Sequence, residues 1–215
     1  CYSISFGIHL VALGLYVMRL GYDESLVGSI EFFAMFLGAA ICLPAGPLVD
    51  RVGAKRALLG AAGLVALGRI GFVASTDSGV LLTSALLLGA GMTIHWIASD
   101  VLLSGASTRR DRPLLFSSRF ATFNFAMVVG SVLGGILPGA FGVLLHGDEF
   151  SPQAYRLTLA VAAAISALGT IPLLLVSSPA GISHNKATGL LSYRMRQPGL
   201  MAKFVLPQAL VSISM

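Results

Sequence analysis

Charge is what this sequence has least of. Asp, Glu, Lys and Arg together make up 11% of its 215 residues, against 56% that are hydrophobic. Soluble domains carry about 25% charged residues. The chain therefore cannot cover a water-facing surface of its own size, which excludes a soluble enzyme or a soluble nucleic-acid-binding domain. The net charge of +5 does not point to nucleic acid, because most Lys and Arg fall in connections that face one way. Cysteine is nearly absent too. Cys1 stands at a chain end and Cys42 inside an apolar run, so no disulfide framework is expected, and without CxxC-like spacing no metal site is expected either. The first apolar segment lacks the basic flank and small-residue cleavage site of a signal peptide. The chain begins without Met, already in apolar sequence, and stops at Met215 inside a fresh apolar run. Both ends are read as cuts through a longer protein.

What the sequence does have is apolar runs of membrane-crossing length, about 20 residues each. Six can be drawn, over 1–20, 25–48, 56–75, 79–103, 114–145 and 155–176. This predicts an all-α polytopic membrane protein with a six-span bundle over 1–176, a connector over 177–203 and the start of a seventh span over 204–215. The connector mixes Arg194, Arg196 and Lys203 with Leu190, Tyr193 and Leu200, a composition suited to an interfacial helix. One set of connections carries Arg51, Lys55 and Arg56, then Arg109, Arg110 and Arg112, then Lys186, Arg194, Arg196 and Lys203. The opposite set holds Arg19 and Arg156 among the acids Asp23, Glu24, Asp77, Asp148 and Glu149. By the positive-inside rule the N-terminal end, the second connection and the connector over 177–203 face the cytoplasm.

The second and fifth spans echo each other. The run from Gly38 to Pro44 and Gly46 in one is matched by Gly130, Gly134, Pro138 and Gly139 in the other. They are the middle helices of two three-helix units that run in opposite directions, an arrangement many transporters share. Small residues with proline are also common in any membrane helix.

Between the second and third spans stands Gly46-Pro47-Leu48-Val49-Asp50-Arg51-Val52-Gly53-Ala54-Lys55-Arg56, a glycine-punctuated charged hairpin. Its glycines suit a tight turn and close helix approach, and Asp50 is placed to accept from the first amides of the third helix. The run resembles the G-x-L-a-D-r-x-G-r-k signature of the major facilitator superfamily, through Gly46, Leu48, Asp50, Arg51, Gly53, Lys55 and Arg56, with Ala54 where the family often has a base. The resemblance implies a major-facilitator-type six-helix bundle of two inverted three-helix repeats, here cut at both ends. It implies that Gly46, Asp50, Arg51, Gly53, Lys55, Arg56 and Asp100 form a conformational latch. Asp100 lies near the same end of the fourth span, where an acid needs a partner; Arg51, Arg56 and Arg119 are in reach by depth.

The fifth span carries Gly130, Gly134 and Gly135, which are read as helix-packing glycines. They resemble in part the glycine motif of the family's exporters, but Gly135 stands where proline is expected. Ala85 occupies the position where proton-coupled exporters carry an arginine before Gly89 and Gly91. His9, His95, Glu31, Arg69 and Arg119 are the polar residues within the spans that are candidates for substrate or proton binding. Imidazole titrates near physiological pH, although either histidine serves equally well as a hydrogen-bonding link between helices. Glu31 and Arg69 lie at equal depth in consecutive spans, so a buried ion pair between them is expected. Trp96, Asn124 and Gln208 are further possible ligand contacts.

The expected function is a secondary active transporter that moves a small solute across the plasma membrane by alternating access. The resemblance implies a small-molecule substrate, coupling to protons or another ion, export as one direction, and no cofactor, metal or nucleic acid. A non-transporting receptor or scaffold on the same fold is the alternative. An intramembrane protease is disfavoured: Ser99 and His95 share one helix face, but no G-x-S-x-G accompanies them.

Overall fold

The apolar runs become helices because a chain in lipid must satisfy every backbone N–H and C=O within itself. A computed structural model describes residues 2–108, 110–145 and 151–175, all within one unit of the chain. Among these residues there are seven helices and no strands: α1 (Tyr2–Arg19), α2 (Glu24–Val52), α3 (Ala54–Ala74), α4 (Ser78–Gly105), α5 (Arg112–Leu144), α6 (Pro152–Leu168) and the short α7 (Ile171–Leu175). Six stretches are long and apolar enough to cross a membrane, the last running through α6 into α7. The chain is a multi-pass, all-α membrane bundle. The expected connector over 177–203 and the run over 204–215 lie outside the described residues.

Two expected boundaries are corrected. The second span, expected to end at Leu48, continues to Val52, because Asp50 and Arg51 stand exposed at the end of the bundle and need not be buried for the helix to go on. The charged hairpin is therefore two turns of α2, one non-helical residue and the first turn of α3. That residue is Gly53, whose φ of 92° is a conformation other residues adopt only at a cost. The sixth span, expected to run unbroken to 176, is interrupted at Gly169 and Thr170. Pro172 has no N–H to offer the carbonyl of Leu168, which breaks the ladder at that point.

Caps set several of the remaining ends. The Asp77 carboxylate accepts from the amides of Gly79 at 2.9 Å and Val80 at 3.2 Å to start α4, and Ser151 accepts from Ala154 to start α6. At the C-termini, arginines from other segments hydrogen-bond the last carbonyls. Arg156 of α6 reaches Val73 and Ala74 of α3, and Arg112 reaches Ser104 of α4 at 2.9 Å.

The helices pack in symmetric pairs. α1 packs on α5 and α6, α4 packs on α2 and α3, and α3 packs on α6. Exchanging α1 with α4, α2 with α5 and α3 with α6 reproduces this pattern. The α1–α5 and α4–α2 crossings are both built on glycine. A Cβ on Gly130 would lie 2.1 Å from the Ile4 carbonyl oxygen, and one on Gly89 would lie 2.0 Å from that of Ala34. Gly134 faces Ile8 as Gly130 faces Ile4, so α1 and α5 run parallel. Since successive spans alternate in direction, the two three-helix units are inverted.

Along their most apolar stretches, α1 and α4 have 44% of residues buried, against 11% in α2 and 22% in α5. The first pair is central to the bundle. The main core joins Tyr16 and Val17 of α1, Phe72 of α3, Leu81 and Leu88 of α4 and Leu159 of α6. Phe32, Met35 and Phe36 of α2 and Leu114, Phe120 and Phe125 of α5 stay exposed, forming the surface a membrane bundle offers to lipid or to another helical unit.

Candidate functional site: two clefts and a charged hairpin

The helix pairs that do not pack on each other leave clefts. α4 and α5 diverge, and between them opens a cleft of about 410 Å³ floored by Tyr2 and Ser3 of α1. His95, Trp96 and Ser99 line it from α4; Ser118, Arg119, Thr122 and Phe123 line it from α5. α1 and α2 touch little, and between them lies a cleft of about 420 Å³ floored by α4. His9 and Leu13 of α1, Glu31, Met35 and Cys42 of α2 and Met92 of α4 face into it. The exchange of helices that relates the two repeats also relates these clefts, and Trp96 borders both. Both volumes fall within the range of about 300–1,000 Å³ typical of small-molecule sites.

The two clefts differ in charge. The α4/α5 cleft holds a cation, Arg119, which forms an ion pair with Asp100. The Arg119 side chain is 26% exposed and that of Asp100 is 52% exposed, so water screens the pair and its net contribution is modest. The Arg119 guanidinium also lies over the Trp96 ring, 5.0 Å from its centroid. Phe123 meets Trp96 edge-on with ring centroids 4.8 Å apart, and His95 stacks on Tyr2 at 4.2 Å. The α1/α2 cleft holds an acid instead, Glu31, together with His9, which is buried edge-on against Phe72 at 5.3 Å.

The expected pairing of Glu31 with Arg69 does not form. Equal depth in consecutive spans is not contact here, because α3 packs on α4 and α6 rather than on α2. Arg69, 2% exposed, donates Nη1 to the Ala162 carbonyl of α6 at 2.9 Å. Ser5 of α1 donates its hydroxyl to the same oxygen, so one carbonyl ties α1, α3 and α6 together. Asn124 donates back to Phe120 on its own helix, and Gln208 lies outside the described residues.

At the hairpin, Gly53 makes the turn as expected and the other parts need correction. Gly46 is helical, and a Cβ there would meet open space, so it serves no close approach within this bundle. Asp50 does not cap α3, whose N-cap is Gly53 without any side-chain bond. Asp50, Arg51 and Arg56 stand exposed at the bundle end. The backbone beneath them is fixed, because Val49, Ala54, Ala57 and Leu58 bury against Ala98 at that end of α4. Lys55 turns inward and donates Nζ to the Leu174 carbonyl at 3.0 Å, capping the far end of α7.

Two of the three packing glycines behave as expected and one does not. Gly130 and Gly134 face α1, but a Cβ on Gly135 would meet nothing within 4 Å. The buried face of α5 runs Gly130, Gly134, Pro138, Gly142, a step of four residues per turn that leaves Gly135 pointing away. Beside Arg119, the α5 side of the cleft carries a pattern of its own. Leu115, Ser118, Arg119, Thr122 and Phe123 fall at helical spacing and make a polar and aromatic stripe on an otherwise apolar span.

Among the described residues there is no cluster of His, Cys, Asp or Glu able to hold a metal. The 4-hydroxybenzoate transporter PcaK of Pseudomonas aeruginosa is 29% identical over 167 residues, covering 67% of this chain and 37% of the relative. The protein of the same name from Pseudomonas putida is 28% identical over 148 residues, covering 66% and 33%. The chain thus spans about a third of the length of these relatives. No solved structure matches it significantly. The Major Facilitator Superfamily profile matches residues 1–215, and with the inverted six-helix bundle this establishes that the chain belongs to that superfamily of transporters and is not an enzyme.

Proposed function

We propose that the whole protein is a secondary carrier for a small aromatic carboxylate, working by alternating access in the cell membrane and coupled to protons. The observation that carries this reading is Arg119, a cation set in an aromatic-walled cleft of ligand size between α4 and α5. A carboxylate inside a membrane protein needs a cation, and an aromatic ring needs rings to lie against. The relatives named as 4-hydroxybenzoate transporters move a molecule with both features. His9 and Glu31 in one cleft and His95 in the other are the groups suited to carry the proton. Entry of a bare anion against an inside-negative potential costs about 2.3 kcal/mol per 100 mV, and a proton moving with it removes that cost. Gly130 and Gly134 are accounted for by their packing on α1, so their likeness to an exporter motif carries no direction.

In this reading the Gly53 end faces the cytoplasm. Gly46, Asp50, Arg51, Gly53, Lys55, Arg56 and Asp100 act there as the latch that holds one conformation of the carrier. The exposed charges on a backbone clamped to α4 suit a contact with a second helical unit. The test is uptake of labelled 4-hydroxybenzoate by vesicles containing the full-length protein, with and without an imposed pH gradient. Uptake that rises when the gradient is applied is expected, and preloaded vesicles read the direction. Uptake no faster than in protein-free vesicles would overturn the reading.

A further inference from the structure

Arg119 has one carboxylate partner in this structure and a place for another. It reaches Asp100 through Nη1, while a guanidinium offers five donors in a planar fork that fits a carboxylate two bonds at a time. Its partner is held loosely, with Asp100 52% exposed at the rim of the bundle. The other side of Arg119 faces the cleft, where Trp96 and Phe123 form a ring-binding corner and Ser99 and Thr122 offer hydroxyls.

Resting on the carrier reading above, we infer that the α4/α5 cleft is the carboxylate subsite and that Asp100 is an internal competitor for it. An arriving aromatic acid pairs with Arg119, lies against Trp96 and Phe123, and displaces Asp100. The repeat-related α1/α2 cleft cannot do this, because the charged residue facing it is Glu31, which repels a carboxylate. The near-equal clefts are thus divided by charge. Asp100 sits on α4, the helix whose end carries the clamped hairpin. Its release on binding returns a free carboxylate to the rim of the bundle.

The inference is tested by measuring binding of 4-hydroxybenzoate and of its neutral amide to the purified full-length protein. Wild type, Arg119→Gln, Arg119→Lys and Asp100→Asn are compared, with thermal melts checking that each is folded. Arg119→Gln is expected to weaken the acid at least tenfold while leaving the amide within about twofold. Arg119→Lys should fall between, since an ammonium pairs as a point charge. Asp100→Asn removes the competitor and is expected to tighten the acid three- to tenfold. This gain cannot arise from misfolding and stands even if the Arg119 variants fail to fold. A wild type that binds the acid while Asp100→Asn binds it more weakly, or while Arg119→Gln binds it equally well, would overturn the inference and leave the carrier reading intact. A wild type that binds neither compound would remove the carrier reading and this inference with it.

Discussion

At the scale of single residues, backbone distance separates glycines that look alike in sequence. Gly130 and Gly135 lie in the same small-residue run, but only Gly130 touches another backbone. Gly130→Ala is expected to destabilise the bundle by about 1–3 kcal/mol, the usual cost of overpacking. Gly135→Ala should be neutral or slightly stabilising through helix propensity. Paired thermal melts in detergent check this, and equal losses from both would contradict the crossing described. Arg69 makes the opposite point. A sequence can show that a cation lies within a span, but the partner depends on which helices touch, and here it is the Ala162 carbonyl of α6. A buried cation held by a neutral carbonyl is costly, and an apolar side chain of similar length is often as stable or more so. Arg69→Met is therefore expected to leave the melting temperature unchanged or raised, and to lower transport at least tenfold if the guanidinium is retained for function. A large drop in melting temperature would show instead that Arg69 is a structural staple.

At the scale of elements, the spans were legible because twenty apolar residues have few other options. Their ends were less so. The sequence places Pro44 and Pro47 inside the second span, and α2 passes through both and on to Val52; Pro172 stands in an equally apolar run, yet the sixth span breaks beside it. All three prolines lie in apolar runs, so hydropathy does not separate the two that a helix tolerates from the one beside which it breaks. The hairpin signature was plain from Asp50, Arg51 and Gly53, while its geometry was not: Gly53 alone makes the turn, and Asp50 faces outward. An exposed carboxylate on a clamped backbone contributes little to folding of its own bundle. Asp50→Asn should therefore express and melt as wild type while reducing transport at least tenfold. Normal transport rates in that variant would refute a latch role for Asp50.

At the scale of the whole molecule, the sequence revealed the repeat only as an echo of glycine and proline, whereas the fold shows it in every major helix pair. Symmetry explains why there are two clefts of nearly equal volume, and the substitutions that break it, Arg119 on one side and Glu31 on the other, explain why they differ chemically. Neither cleft could be found from hydropathy, because a cleft is set by the helix pairs that do not pack. The central claim is that this bundle belongs to a carrier that exposes an aromatic-acid site alternately to the two sides of a membrane. Counterflow tests it most directly. Vesicles containing the full-length protein are loaded with unlabelled 4-hydroxybenzoate and diluted into a trace of the labelled acid, with no ion gradient imposed. The account predicts a transient accumulation of label above equilibrium, abolished in Arg119→Gln; label that only creeps to equilibrium, as in protein-free vesicles, would contradict it.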